Sequence, residues 1–381
     1  MKKNVLVIAG EISGDMHAAR VIESLRERTS EVEYWGIGGD ELRAAGVEIQ
    51  YDVRDMAVLG LWEVIKRYAF FRRVFHDMLA RLDERKPDAV LLVDYPGFNL
   101  RFAREAHRRG VKVLYYICPQ VWAWHRSRIH RMAKLVDRLM VIFPFEVDVF
   151  SGTGLRVDFV GHPLVNTARR ALQESPTPLP WDGDEAHRVA MLPGSRRQEM
   201  ERILPPMIET ACRMEQERPG ASFLVAAPSE RMAEMARDIM GRTPQRPAHL
   251  TVVTGNTRQV LRQARAAMVA SGTATLETAL MGCPLIVVYK TAALTYWFGK
   301  RLIRVPYLGM VNIVAGRALC PEFLQHEADP EAMAKAVLAL LDDSPARAAM
   351  LEGLREVTRA LGEEDSAEKT ASIVLDELGL H

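Results

Sequence analysis

Cysteine is scarce in this 381-residue chain. The four present, Cys118, Cys212, Cys283 and Cys320, lie far apart with no C-x-x-C pair. That spacing speaks against a zinc site or a disulfide framework and fits a reducing cytosol. Long apolar runs are missing too: no uncharged stretch reaches the ~20 residues needed to span a bilayer. Behind Met1-Lys2-Lys3 the apolar run Val5–Gly10 is too short for the core of a signal peptide, and Glu11 interrupts it. Any membrane contact is therefore expected to be peripheral. Neither G-x-G-x-x-G nor G-x-x-x-x-G-K-[ST] occurs, which leaves a dinucleotide site or a P-loop without support. One D-x-D match, Asp182-Gly183-Asp184, falls in a polar linker with no strand before it, so no metal is expected there.

What is present is ordinary in amount and informative in arrangement. Hydrophobic residues make up 48% and charged residues 26%, the composition of a soluble globular protein. At this length two domains are the natural expectation. The net charge of +1 hides an asymmetry: Leu61–Arg138 holds 17 Lys/Arg against 8 Asp/Glu, whereas Gly161 to the end holds 25 against 27. The first half thus carries a basic region suited to anionic lipid, phosphate or nucleic acid. Two aromatic and basic stretches, Leu61–Lys86 and Tyr296–Ala315, have the make-up of helices that lie in a membrane interface or simply face a core.

Short apolar runs alternate with amphipathic stretches, the pattern of a parallel α/β fold. Strands are expected at Asn4–Ala9, Glu33–Ile37, Ala89–Val93, Lys112–Tyr116, Arg138–Ile142 and Val157–Val160. A second set is expected at Arg188–Leu192, Ser222–Ala226, Leu250–Val253, Ala266–Ala270 and Pro284–Val288. Between the sets lies Glu174–Pro180, rich in proline, which can continue neither helix nor central strand. The expected architecture is two Rossmann-like parallel-sheet domains facing across a cleft: 1–170, 171–345, and a helical tail, 346–381, that packs on the first domain or on a partner copy.

Each half opens with a strand, a glycine loop and a helix. In the first, Gly10–Asp15 offers Glu11, Ser13 and Asp15, as helix caps or as ligand contacts. Asp94 stands where the run Leu91–Val93 ends, before Pro96-Gly97. A carboxylate there is partly desolvated, which raises its pKa and suits it to act as a base; a helix cap is its plainer role. Trp122 and Trp124 in Cys118–Arg128 form a platform for a sugar or acyl chain if the segment is extended, or ordinary core if it is not. His162, in Gly161–Leu164, marks a hinge turn or a group that titrates near neutrality.

In the second half Gly194-Ser195-Arg196 precedes a long helix, and an arginine at that entry can grip a phosphate. Farther on, Ser271-Gly272-Thr273-Ala274-Thr275-Leu276-Glu277 is small and hydroxylated, suited to a diphosphate at a helix start. Glu277 lies one turn beyond Thr273, where it could take both hydroxyls of a ribose.

These segments, with Gly36–Gly39, Met56–Trp62, Asp94–Asn99 and Tyr307–Ile313, together resemble the lipid A disaccharide synthases from Lys3 to about Asp376. The resemblance implies the two-Rossmann (GT-B) glycosyltransferase fold and an inverting hexosyltransferase. Its donor is UDP-2,3-diacylglucosamine, its acceptor 2,3-diacylglucosamine 1-phosphate, and its products a β-1,6-linked disaccharide phosphate and UDP. Asp94 then corresponds to the acidic base position and Arg196 to the phosphate-facing arginine. Ser271, Gly272, Thr273, Thr275 and Glu277 match the UDP cradle, and Asn312 matches the asparagine of a Gly-Met-Val-Asn stretch. Glu11, Ser13, Asp15, Asn99, Trp122, Trp124 and Ser195 complete the implied substrate contacts. The resemblance implies no cofactor, no metal and no nucleic acid. It implies a cytoplasmic enzyme on the inner membrane, and a tail able to exchange between copies would make it a homodimer. A sugar-nucleotide epimerase and a non-catalytic nucleotide sensor are the competing readings of the same residues.

Overall fold

The computed structural model describes residues 2–56, 68–124, 127–182, 184–291 and 305–380. The chain divides into two compact units: Met1–Pro163 with Gly362–His381, and Leu164–Leu361. The first holds a seven-stranded sheet: β1 (Lys3–Ala9), β2 (Val32–Gly38), β3 (Glu48–Asp52), β4 (Ala89–Val93), β5 (Lys112–Tyr116), β6 (Arg138–Val141) and β7 (Arg156–Phe159). Their order across the sheet is β3-β2-β1-β4-β5-β6-β7, and every pairing is parallel.

The second unit holds β8 (Arg188–Leu192), β9 (Ser222–Ala227), β10 (Leu250–Thr254), β11 (Ala266–Ala270), β12 (Leu285–Tyr289) and β13 (Glu322–Leu324), in the order β10-β9-β8-β11-β12-β13. These pairings too are parallel. The central strands read as unbroken apolar runs because helices cover both faces. All five residues of β4, and Val5–Ala9 of β1, are fully buried.

Of the thirteen strands among the described residues, eleven lie where the apolar runs place them, within one or two residues at each end. The two not anticipated, β3 and β13, are edge strands whose residues are mostly half-buried. Edge strands lack the continuous apolar run that advertises a central strand.

Strand order reverses at β1/β4 in the first sheet and at β8/β11 in the second. At such a switch point the two connections leave in opposite directions and open a crevice beyond the strands' carboxyl ends. The four loops singled out from the sequence follow these four strands: Gly10–Asp15 after β1, Asp94–Asn99 after β4, Gly194–Arg196 after β8 and Ser271–Glu277 after β11.

Two segments are placed differently from expectation. The residue-170 boundary falls inside the helix Pro163–Gln173, and the units part at Pro163/Leu164. The proline-rich stretch is strapped to the second unit. Arg262 donates to the carbonyls of Ala171 and Glu174 (3.2 and 2.6 Å), and Gln263 to that of Thr177 (2.8 Å). Proline cannot donate to a strand ladder, but its segment's carbonyls still accept. The tail also divides: Pro345–Ala360 belongs to the second unit and Ser366–Leu378 to the first. The latter packs on the helix Ile12–Arg28, and its Glu377 carboxylate meets Lys112, Arg138 and Arg156 at 3.0, 3.4 and 2.7 Å.

Candidate active site

In the first unit, Asp94 and Tyr95 both adopt left-handed backbone (φ 46° and 47°). That conformation costs a non-glycine residue ~1 kcal/mol or more, so surrounding bonds must hold it. The Asp94 amide donates to the Tyr116 carbonyl (3.0 Å). Its carbonyl accepts from the Tyr115 hydroxyl (2.6 Å) and from Nδ2 of Asn99 (2.8 Å). Pro96 then opens the next helix, with φ already set for it.

Gly10 lies against the Tyr95 ring: a Cβ there would stand 2.1 Å from Tyr95 Cδ1. The glycine is required by this close approach, which packs the β1 and β4 loops into one site. Within it, burial raises the Asp94 carboxyl to about 6, reinforced by the negative charge of Glu11. Glu11 and Ser13 are exposed at the start of the helix Ile12–Arg28.

The other expected contacts of this unit have partners within the protein. Asp15 is buried, and its two oxygens accept from the amides of Gly39, Glu41 and Leu42 (2.6, 3.1 and 3.3 Å). It caps the helix Asp40–Ala44 across a loop, which accounts for the nearby Gly38-Gly39. Asn99 is fully buried and pins the ends of β1 and β4 through the carbonyls of Ile8, Val93 and Asp94.

Trp122 is core rather than an open platform. It is 6% exposed, lies edge-on to Phe145, and its indole N–H donates to Glu146 Oε1 at 3.0 Å. The segment folds as a short helix, Val121–Trp124, so the extended geometry a platform needs is absent. The side chain of Trp124 lies outside the described residues, as do Ala57–Arg67 and Ala292–Arg304, which include parts of both aromatic and basic stretches. Glu146, unmarked by any sequence pattern, is held by the Trp122 indole and the Phe143 amide, and burial raises its carboxyl to about 8. His162 is buried against Phe143, and desolvation lowers it to about 3, below any neutral-range titration.

In the second unit, Gly194 (φ 117°) turns the chain from β8 into the helix Arg197–Glu217. Glu199 folds back over the turn. Its Oε2 accepts from the amides of Ser195 and Arg196 (3.0 and 3.2 Å), and its Oε1 from the Arg196 guanidinium (2.8 Å). A carboxylate thus occupies the anion-binding position at this helix start. The pair is solvent-exposed on the arginine side, so exchanging Glu199 for another anion costs little. Glu199 stands three residues past the cap, the spacing of a capping box, and that spacing is the sequence signal by which it could be found.

After β11, Gly272 has φ 145° with open space where a Cβ would point, and Thr273 is exposed with no side-chain cap bond. Ser271 donates to the Leu308 carbonyl (2.7 Å), which ties the loop to the segment before Met310. Glu277 is half-buried; burial raises its carboxyl, opposed by Arg258, whose Nε lies 2.8 Å from Oε1.

Thr275 and Asn312, expected as ligand contacts, are fully buried. Thr275 donates to the Gly272 carbonyl (2.7 Å) and accepts from the Val311 amide (3.3 Å), bracing the loop from beneath. Asn312 exchanges bonds with Cys320 and donates to Glu322 (each 2.8 Å), while Glu322 caps the helix Met310–Ala315 through the Leu308 and Gly309 amides. Small polar residues in a loop do not reveal which of them point inward. In the D-x-D match, Asp184 accepts from the Ala186 amide (3.1 Å) and Asp182 lies 3.5 Å from His249.

The first unit thus presents a raised carboxyl and the second an anion-ready pair of loops. A family model described as lipid-A-disaccharide synthetase matches residues 5–375. The chain belongs to this family. The lipid-A-disaccharide synthase of Syntrophus aciditrophicus is 40% identical over 375 residues, covering 98% of this chain and 97% of that one. Its counterpart from Geobacter metallireducens is 38% identical, covering 99% and 98%.

Among solved structures, the calicheamicin glycosyltransferase CalG4 is similar with a TM-score of 0.61 at 16% identity, covering 100% of this chain and 99% of that one. The UDP-GlcNAc 2-epimerase from Neisseria meningitidis bound to UDP-GlcNAc has a TM-score of 0.61 at 12% identity, with 99% of each chain covered. Identities this low establish the fold, the GT-B glycosyltransferase and epimerase architecture, and no activity. The activity class comes from the family: members form the lipid A disaccharide, and the chain is a hexosyltransferase.

Proposed function

We propose that the chain transfers a 2,3-diacylglucosamine unit from its UDP derivative to the 6-hydroxyl of 2,3-diacylglucosamine 1-phosphate, with inversion at the anomeric carbon. The observation that carries this reading is Asp94: a carboxyl raised to about 6, on a strained turn at the switch point of the first sheet. A group titrating there is mostly ionised at pH 7 yet basic enough to take the proton of an attacking hydroxyl. An α-linked nucleotide sugar that gives a β product reacts by one displacement. The acceptor oxygen attacks the anomeric carbon, its proton passes to Asp94, and the bond to the diphosphate breaks with UDP leaving.

Leaving-group charge falls to the second unit. Arg196 exchanges Glu199 for the diphosphate, while Ser195, Ser271, Gly272 and Thr273 supply small polar contacts around it. Glu277 takes the ribose. A neighbour of the same fold bound to UDP-GlcNAc supports a UDP-sugar as the donor. Glu11 and Ser13, exposed beside Asp94, contact the acceptor. With fatty-acyl substrates, the enzyme works at the cytoplasmic face of the inner membrane; no described helix is long and apolar enough to cross one. A homodimer formed through the helical tail belongs to the same proposal.

The test is incubation of purified protein with both lipid precursors, followed by mass analysis for the disaccharide phosphate. Folded protein that yields no product refutes the reading, and epimerised UDP-sugar in its place favours the epimerase. Arg196→Ala should lower turnover at least tenfold in the same assay; an unchanged rate removes it from the leaving-group site.

A further inference from the structure

We propose that Arg258 is a positioning residue of the nucleotide site: its guanidinium keeps the Glu277 carboxylate charged and in place, so that Glu277 accepts from both hydroxyls of a ribose. The inference rests on the reading that the second unit binds a uridine diphosphate sugar, and it names the group that makes Glu277 fit for that task.

The geometry is built from two directions. β10 ends at Thr254, and Gly255 and Asn256 follow in left-handed conformation (φ 65° and 55°). The helix Thr257–Gln263 therefore begins abruptly and carries Arg258 in its first turn. That helix is anchored by Val260 and Leu261, which are buried, and by Arg262, which grips the carbonyls of Ala171 and Glu174. Arg258 is thus delivered by a fixed element to a carboxylate on the helix Ala274–Leu280, with Nε 2.8 Å from Oε1 of Glu277.

Exposure is unequal within the pair: the Glu277 side chain is 18% exposed and that of Arg258 37%. The carboxylate is the desolvated partner. The Nε–H is poorly aligned on Oε1, so the contact is chiefly one of charge, and the carboxylate keeps lone pairs for hydroxyl donors. Among the described residues Arg258 is the charged group whose field opposes the burial of Glu277. Without it burial acts unopposed, and the Glu277 carboxyl rises further toward its protonated form. A protonated carboxyl spends one oxygen as a donor and can no longer accept symmetrically from two adjacent hydroxyls.

The experiment is calorimetric titration of the full chain with UDP and with 2′-deoxy-UDP, at pH 6.5 and 8.5, for the wild type, Arg258→Gln and Arg258→Lys. The wild type should prefer UDP over the deoxy form by tenfold or more. Arg258→Gln should weaken UDP binding at least tenfold, more at the lower pH than at the higher, and lose the preference; Arg258→Lys should recover most of both. Wild-type UDP affinity and preference in Arg258→Gln would overturn the assignment. A wild type that binds no UDP overturns the nucleotide reading itself. A wild type that binds both nucleotides equally removes Glu277 from the ribose, and Arg258 with it. Melting temperatures within a few degrees of one another establish that the variants fold.

Discussion

Replacing Asp94 by asparagine should make the protein more stable and nearly inactive, and the pH dependence of the first effect is the sharper test. The carboxyl is raised from 3.8 to about 6 in the folded protein. A rise of that size corresponds to ~3 kcal/mol of preference for the neutral form, about 2 kcal/mol once partial solvent access is allowed for. The sign follows from the direction of the change. A raised carboxyl favours folding fully below its unfolded value, and that contribution is lost as pH rises through about 6. Wild type therefore carries the whole cost of a buried charge at pH 8, and asparagine carries none of it.

The melting advantage of Asp94→Asn should be small near pH 4 and grow to about 5 °C by pH 8, for a unit of this size. Fluorescence-monitored melts across that range measure it. An advantage independent of pH would show that Asp94 is not held in a desolvated state, and the case for a base would fall with it. Transfer by Asp94→Asn should drop by a factor of about 10²–10⁴, and wild-type kcat/KM should rise with pH about a midpoint near 6.

Gly10→Ala places a methyl 2.1 Å from the Tyr95 ring and must push it away. Activity should fall at least tenfold while the melting temperature drops by only a few degrees; steady-state kinetics beside a melt separates the two. Asn312→Ala strips the partners from both backbone groups of Cys320 and one from Glu322, and should cost about 2–4 kcal/mol in chemical denaturation. A loss of nucleotide affinity without that destabilisation would return Asn312 to the ligand. Glu146→Gln should cost about 1–3 kcal/mol at pH 7, where the buried carboxyl, raised to about 8, is mostly protonated: both its oxygens accept from N–H groups, and the amide nitrogen of glutamine cannot. Because stability due to a raised carboxyl is lost as pH climbs through about 8, that deficit should shrink at pH 9 and beyond, as melts of both proteins across this range measure.

Sequence alone determined the architecture of this protein, because a strand covered on both faces must be an unbroken apolar run. Val5–Ala9, Ala89–Val93, Val189–Met191 and Ala266–Val269 are such runs, and all are fully buried. It also located the four loops, since glycine, proline and small polar residues mark where those strands stop. The edge strands β3 and β13 left no such trace, and the proline-rich stretch hid the carbonyls by which Arg262 and Gln263 hold it.

Within the loops only tertiary structure decided which polar side chains turn outward. Glu11, Ser13, Arg196 and Thr273 are exposed, whereas Asp15, Asn99, Thr275 and Asn312 are buried on backbone partners that hold those loops in shape. A polar residue in a buried position must be satisfied, and its partner can lie anywhere along the chain: Asp15 finds Gly39, Trp122 finds Glu146, and Glu277 finds Arg258. Sequence spacing carries no record of such pairings. They are set by which elements the two sheets bring side by side.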